Sequence, residues 1–195
     1  MSTDNHDDPH TLAAASAWIV RYAHLVAPGA RVLDLACGEG RHARYFAARG
    51  ATVLAVDRNA DALASLAGTP GIATLQCDLE GAAWPLAGER FDAIVVVNYL
   101  HRPLFPHLFA ALAPDGVWLY ETFARGNEAF GRPSNPDFLL APDELLQRLP
   151  PELHVVGFEQ GVVTESARQA VVQRIAAVGR ARASPPRLPR SKADE

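Results

Sequence analysis

Three aspartates, Asp34, Asp57 and Asp78, each lie at or just past the end of a short apolar run. The runs are Val32-Leu33, Thr52-Val53-Leu54-Ala55-Val56 and Ile72-Ala73-Thr74-Leu75. A carboxylate fixed at a strand end accepts hydrogen bonds from ligand hydroxyl and amino groups lying across it. The first run is followed by a turn of small residues, Ala36-Cys37-Gly38-Glu39-Gly40. Glycines there let the chain turn sharply and let a ligand approach with no Cβ in the way. Gly38-Glu39-Gly40-Arg41-His42-Ala43 fits G-x-G-x-x-G/A, a signature of adenosine-containing ligands when a strand precedes it and a helix follows. Asp57 then takes the place of the acidic residue that accepts from both ribose hydroxyls. Asp78 is placed to accept from an adenine amino group, with Leu79 against the ring face.

Asp34 discriminates between ligands. A dinucleotide puts its pyrophosphate at the helix N-terminus, where a fixed carboxylate repels it. S-adenosylmethionine (SAM) puts no phosphate there and carries a cationic ammonium. Asp34 can receive that group directly or through a water. Backbone N–H groups of the turn holding Ala36, Cys37, Gly38 and Gly40 remain for the methionine carboxylate. Arg58, beside Asp57, and Asn98, at the end of a fourth apolar run, complete the expected cofactor set. Plainer readings exist: Asp34 as a helix cap, and Asp57 as the cap of a helix starting near Asn59. The register of all three aspartates with the glycines favours the ligand site. Glu39 reads as a solvated residue of the first helical turn. Arg41 and His42 read as helix-surface or substrate-mouth residues.

These groups need a scaffold of alternating strands and helices. Thr11 to Val26 has Trp18, Ile19, Tyr22 and Leu25 at helical spacing, so a helix is expected over about 11–27. Further helices are expected over Glu39 to Arg49 and Asn59 to Ala67, stopped by Gly50 and Gly68. Gly81 to Gly88 reads as a loop. Phe91 to Asn98 is the fourth strand, followed by a helix from about Pro103 to Leu112. Gly116 to Glu121 is the fifth strand, after a Pro-Asp-Gly turn. A long loop, Thr122 to Pro142, precedes a short helix from Asp143 to Leu149. His154 to Phe158 and Ala170 to Val178 read as a final strand pair around a turn-rich middle. The alternation predicts an α/β fold with an open, mostly parallel sheet.

At these residues the chain resembles the class I SAM-dependent methyltransferases. Their first motif appears as Val32-Leu33-Asp34-Leu35-Ala36-Cys37-Gly38-Glu39-Gly40, their ribose acid as Asp57 and their adenine-side acid as Asp78. The variant running through Arg41-His42-Ala43 is similar to a small bacterial branch that includes tellurite-resistance-type enzymes. The resemblance spans about residues 15–178. It implies a Rossmann-like, doubly wound, mostly parallel seven-stranded sheet ending in a C-terminal antiparallel hairpin. It also implies SAM as cofactor, S-adenosylhomocysteine (SAH) as product, and methyl transfer. It implies no particular acceptor, because this fold hosts many.

Acceptor and base are sought beyond the C-terminal ends of the strands. A sulfonium methyl is already activated, so the protein must mainly position the nucleophile and exclude water. His101 is the first candidate for a general base, with Tyr99 and Glu121 next. Arg102, Phe123, Asn127, Phe130 and Arg132 are expected to contact the acceptor, most of them from the long loop read as a lid. The strand-four end, Asn98-Tyr99-Leu100-His101, lacks the Asn/Asp-Pro-Pro-Tyr/Phe pattern of amino-methylating enzymes, and no Pro-Cys stands there for cytosine C5 chemistry. No acidic cluster resembles the magnesium site of catechol-type enzymes, and no Cys/His spacing suggests zinc. A small-molecule acceptor is therefore expected, with no resident metal. The alternatives are an RNA or protein target, or a non-catalytic SAM-binding subunit.

Bulk properties agree. The 195 residues suit one domain, taken as 1–179, with a basic tail at 180–195 expected to be disordered. A net charge of −4 gives no electrostatic case for nucleic acid as partner. MSTDNHDDPH lacks the basic-then-apolar order of a signal peptide, and no apolar run suggests a membrane span. Cys37 and Cys77 stand beside the expected site without forming a disulfide framework, which fits a cytoplasmic setting. Oligomeric state is not readable.

Overall fold

A computed structural model describes residues 13–81, 83–165 and 168–189. In chain order the strands are β1 (Arg31–Leu35), β2 (Thr52–Asp57), β3 (Ile72–Gln76), β4 (Phe91–Val97), β5 (Leu112–Phe123), β6 (Leu153–Glu165) and β7 (Arg168–Gly179). They form one sheet in the order β3-β2-β1-β4-β5-β7-β6. The first five are parallel, and β7 runs antiparallel to both β5 and β6. The chain order reverses between β1 and β4, which opens a crevice at the carboxyl ends of those strands.

Both faces of the sheet are buried, so neighbouring residues on a strand serve opposite cores. Val32, Val53, Val95 and Leu119 pack with α1 (Ala17–Tyr22) and α2 (Arg41–Ala47). Leu33, Ile94, Trp118 and Tyr120 pack on the other side with α4 (Phe105–Ala111). There Phe105 stacks on Tyr120 and meets Trp118 edge-on, at 5.5 and 6.1 Å between centroids. The remaining helices are α3 (Ala60–Ala64) and α5 (Glu144–Arg148).

The expected architecture is present, with local differences. The first helix begins at Ala17 rather than Thr11, and it tightens into a 3₁₀ turn over Ala23–Leu25. Residues 11 and 12 lie outside the described part. Ser16 sets the start: its Oγ accepts from the Trp18 N–H at 3.2 Å and donates to Glu121 Oε2 at 2.7 Å. Tertiary anchoring thus overrides the apolar periodicity. The final strands are longer than expected, because the segment read as turn-rich continues the ladder from Gly161↔Val172 to Thr164↔Gln169. Val162, Val163 and Thr164 are β-branched and suit that pairing.

The tail does not stand apart over residues 180–187. Arg180 N–H donates to the Glu152 carbonyl, and Arg182 Nη2 donates to the Leu25 carbonyl at 3.0 Å. A ring nitrogen of His24 lies 2.9 Å from the Arg187 carbonyl. The tail therefore crosses the edge where the parallel strands begin, away from the aspartates. Residues 190–195 lie outside the described part.

Candidate functional site

The glycine turn is built by backbone conformation. Ala36, Gly38, Gly40 and Asn98 all have positive φ, at 52, 55, 74 and 58°. For Ala36 and Asn98 this is a strained choice, and such strain concentrates where a chain must present itself to a ligand. Gly38 and Gly40 share the need for a positive φ, and only Gly40 also needs the space. A Cβ at Gly40 would stand 2.5 Å from Leu66 Cδ1, in the packed base of the turn. A Cβ at Gly38 would meet nothing within 4 Å, so its bare Cα forms an open ledge. Gly40→Ala, strained and overpacked, is therefore expected to cost roughly 2–5 kcal/mol of stability in urea unfolding. Gly38→Ala, strained only, is expected to cost about 1–2 kcal/mol yet lose most ligand affinity. Equal effects of the two changes on unfolding would contradict this division.

Two of the three aspartates brace the turn and the helix that follows it. Asp34, 1% exposed, accepts from the Ala43 N–H at 2.8 Å and so holds the first turn of α2. Burial pushes its carboxyl up to about 7, against the Ala43 N–H and the Arg41 charge, which favour ionisation. Asp57 accepts from the Gly38 N–H at 2.7 Å through Oδ2 and from the Asn59 N–H at 2.9 Å through Oδ1. Asp78 accepts from the Glu80 N–H at 3.0 Å. Asp34 thus serves as a cap of α2, while α3 is capped by Asn59, whose Oδ1 accepts from the Asp61 and Ala62 N–H groups, rather than by Asp57 as the plainer reading had it; both aspartates also line cavities.

Two cavities meet at the turn. One, of about 430 Å³, is lined by Asp57, Arg58, Cys77, Asp78, Leu79 and Glu80 on one side. Asn98, Tyr99, Leu100, Thr122, Phe123, Pro133 and Phe138 form the other side, with Ala36 between. The second, of about 360 Å³, is lined by Ala13, Asp34, Cys37, Gly38, Glu39, Arg41, His42 and Val97. Ala36 and Asn98 belong to both. Apart from Gly40, packed beneath the turn against Leu66, every residue expected to hold the cofactor lines one of the two.

The expected base and acceptor residues fare differently. Tyr99 lines the larger cavity, but burial, followed by the adjacent Glu80 carboxylate, raises its hydroxyl well above the ordinary phenol range. It is a poor base at neutral pH. His101 is absent from both walls and opens the 3₁₀ turn Arg102–Leu104. Glu121 also lines neither cavity. It is 6% exposed and faces α1, where Ser16 holds it.

Arg102 is not available to an acceptor. Its Nε and Nη2 grip the two Glu144 carboxylate oxygens at 2.8 and 2.9 Å. Its Nη1 and Nη2 also donate to the Asp137 and Leu139 carbonyls at 2.6 and 2.9 Å. Asn127 is likewise a brace, buried, donating to the Pro133 carbonyl and accepting from the Val171 N–H. Phe130 and Arg132 are exposed on the loop, off the wall. Of the five expected acceptor contacts, only Phe123 lines a cavity.

Other wall residues were given no role from the sequence, and His42, read as a helix-surface or substrate-mouth residue, is buried. Pro133 and Phe138 reach the cavity because Arg102 and Asn127 fold the loop back over it. His42, 3% exposed, accepts the Ser16 N–H at 3.2 Å, and burial followed by the Arg41 charge lowers its pKa to about 3. Cys77 and Glu80 flank Asp78 and were within reach of a sequence reading. Both cysteines are free thiols.

Residues 32–116 match a family model described as a methyltransferase domain. Trans-aconitate 2-methyltransferase of Paracidovorax citrulli is 40% identical over 95 residues, covering 44% of this chain and 36% of that protein. TehB from Haemophilus influenzae superposes with a TM-score of 0.73 at 20% identity, covering 88% of this chain and 64% of its own. The glycopeptide N-methyltransferase MtfA, complexed with SAH, superposes at 0.60 with 21% identity, over 86% of this chain and 90% of its own. The chain thus spans about a third of the trans-aconitate relative and just under two thirds of TehB, and the structural matches establish the Rossmann-like fold.

Proposed function

We propose, from the premise that this chain carries a class I SAM-dependent methyltransferase domain, that it transfers a methyl group from SAM to a small-molecule acceptor. The observation that carries this reading is the Gly38 ledge held by Asp57. That carboxylate braces the turn and borders the same cavity as Asp78. The donor set fits the cofactor: Asp57 for the ribose, Asp78 and Leu79 for the adenine, and Asp34 with the turn N–H groups for the methionine end. A buried carboxyl held up near 7 is a group that a cation would stabilise in its ionised form. When bound, SAM supplies an electrophilic methyl group. The chain's part is to orient the acceptor against it from the Asn98–Phe123 wall and to exclude water.

An acceptor screen read by SAH release tests the proposal. Binding of SAM with no turnover of any acceptor would favour the non-catalytic subunit instead. No helix among the described residues is long and apolar enough to cross a membrane. We place the reaction in the cytoplasm, where two free thiols are at home.

Asp34 gives the reading a pH signature. Its carboxyl is raised to about 7 in the free protein, and a bound ammonium would lower it. Affinity for SAM should therefore rise as pH climbs through 7, with a proton released on binding. Calorimetry in two buffers of different ionisation heat should detect that proton. Asp34→Asn should flatten the pH profile, and a wild-type profile flat from pH 6 to 8 would refute the linkage.

A further inference from the structure

We infer that Arg41 binds the carboxylate of the SAM methionine end, so that Arg41 and Asp34 together read the two charges of an amino-acid zwitterion. This rests on the SAM reading above. The smaller cavity brings the two side chains to one wall from different elements, Asp34 from near the end of β1 and Arg41 from the start of α2. They are not spent on each other. Asp34 Oδ2 takes the Ala43 N–H, and Arg41 Nη1 donates to the Ala14 carbonyl at 3.3 Å. A guanidinium offers a fork of N–H donors, and that long bond leaves most of the fork for a planar carboxylate.

The glycine turn is short of donors for the same group. Of the N–H groups of Ala36, Cys37, Gly38 and Gly40, three already donate inside the protein: Cys37 to the Val56 carbonyl at 3.0 Å, Gly38 to the Asp57 carboxylate at 2.7 Å and Gly40 to the Cys37 carbonyl at 2.9 Å. Ala36 is left of that set. A carboxylate has about four lone-pair sites to satisfy. Arg41, beside the turn, supplies what the backbone does not.

Charge points the same way. Among the described residues, the other charged side chains lining the smaller cavity are Asp34 and Glu39, both acidic. His42 adds no charge: its Nε2 accepts the Ser16 N–H, and burial followed by the Arg41 charge lowers its pKa to about 3. A ligand carboxylate would meet repulsion from both acids, and Arg41 offsets it while the ligand ammonium turns to Asp34. Arg41 also lies close enough to Asp34 for its charge to favour the ionised carboxylate that the ammonium needs.

SAH and decarboxylated SAH differ by that one carboxylate and make the test. Calorimetry is run at about pH 8.5, above the Asp34 pKa of about 7. Wild type should bind SAH about tenfold or more tightly than the decarboxylated probe. Arg41→Ala should remove most of that preference by weakening SAH, with the decarboxylated probe within about threefold of wild type. Arg41→Lys keeps the charge without the fork and should keep part of the preference. Asp34→Asn should instead weaken both probes, and thermal unfolding shows that each variant is folded. Equal binding of the two probes by wild type would overturn the inference. So would equal losses of both in Arg41→Ala, since a residue that merely braces Ala14 serves the two alike. Failure of wild type to bind either probe would strike the SAM reading, and the inference with it.

Discussion

Asp57→Ala is expected to weaken SAH binding by a hundredfold or more while the protein stays folded. The carboxylate has two duties that no other residue can take over. Its Oδ2 receives the Gly38 N–H and its Oδ1 the Asn59 N–H, so it ties the glycine turn to the start of α3. Its cavity face is the ribose acceptor of the proposed site. Hydrogen bonds to a charged partner are worth about 1.5–3 kcal/mol each, and losing two to the ligand already exceeds a hundredfold. Asp57→Asn separates the duties. The amide keeps the shape but has one acceptor oxygen, so its NH₂ must face either Gly38 N–H or Asn59 N–H. It should lose nearly as much affinity as the alanine variant. Calorimetry with SAH, beside thermal unfolding of each variant, checks both. An SAH affinity within threefold of wild type in folded Asp57→Ala would remove Asp57 from the site.

The strands were legible because each is a short apolar run closed by a polar residue, and burial on both faces makes such runs continuous rather than alternating. The aspartates were legible because a strand end fixes where a side chain can point. What failed to read depends on partners far along the chain. Arg102 looked like an acceptor contact because it follows strand four, but Glu144, 42 positions on, claims it. Glu121 shows a signal that was present and unused. Successive residues on a strand alternate between faces, so Glu121 shares the face of Leu119, against α1, where Ser16 holds it. The cavity-side residues of the long loop had no such rule. Phe138 and Phe130 look alike in sequence and are about equally exposed, at 48% and 43%, and only the folding of the loop brings the first to the cavity rim.

That folding depends on Glu144, and Glu144→Gln is expected to cost about 3 kcal/mol at pH 7. Glu144 is 8% exposed in its side chain and takes Arg102, Arg148 and the Ala141 N–H. Burial pushes its carboxyl up, but those three partners outweigh it and bring the pKa down to about 2, against an ordinary 4.5. A lowered carboxyl pKa gives stability that is fully present above 4.5 and lost as pH falls toward 2. Urea unfolding should therefore show the full gap between wild type and variant at pH 7, and less than half of it at pH 3. A gap that ignores pH would mean packing, not charge, anchors the residue. The change should also reach function by a route unlike that of Asp57. Arg102 carries the Asp137 and Leu139 carbonyls on either side of Phe138, so a loosened Arg102 releases the acceptor wall and leaves the adenosine half intact. Acceptor KM should rise several-fold with SAH affinity within about twofold of wild type. A parallel loss of both would place the loop in the cofactor site instead.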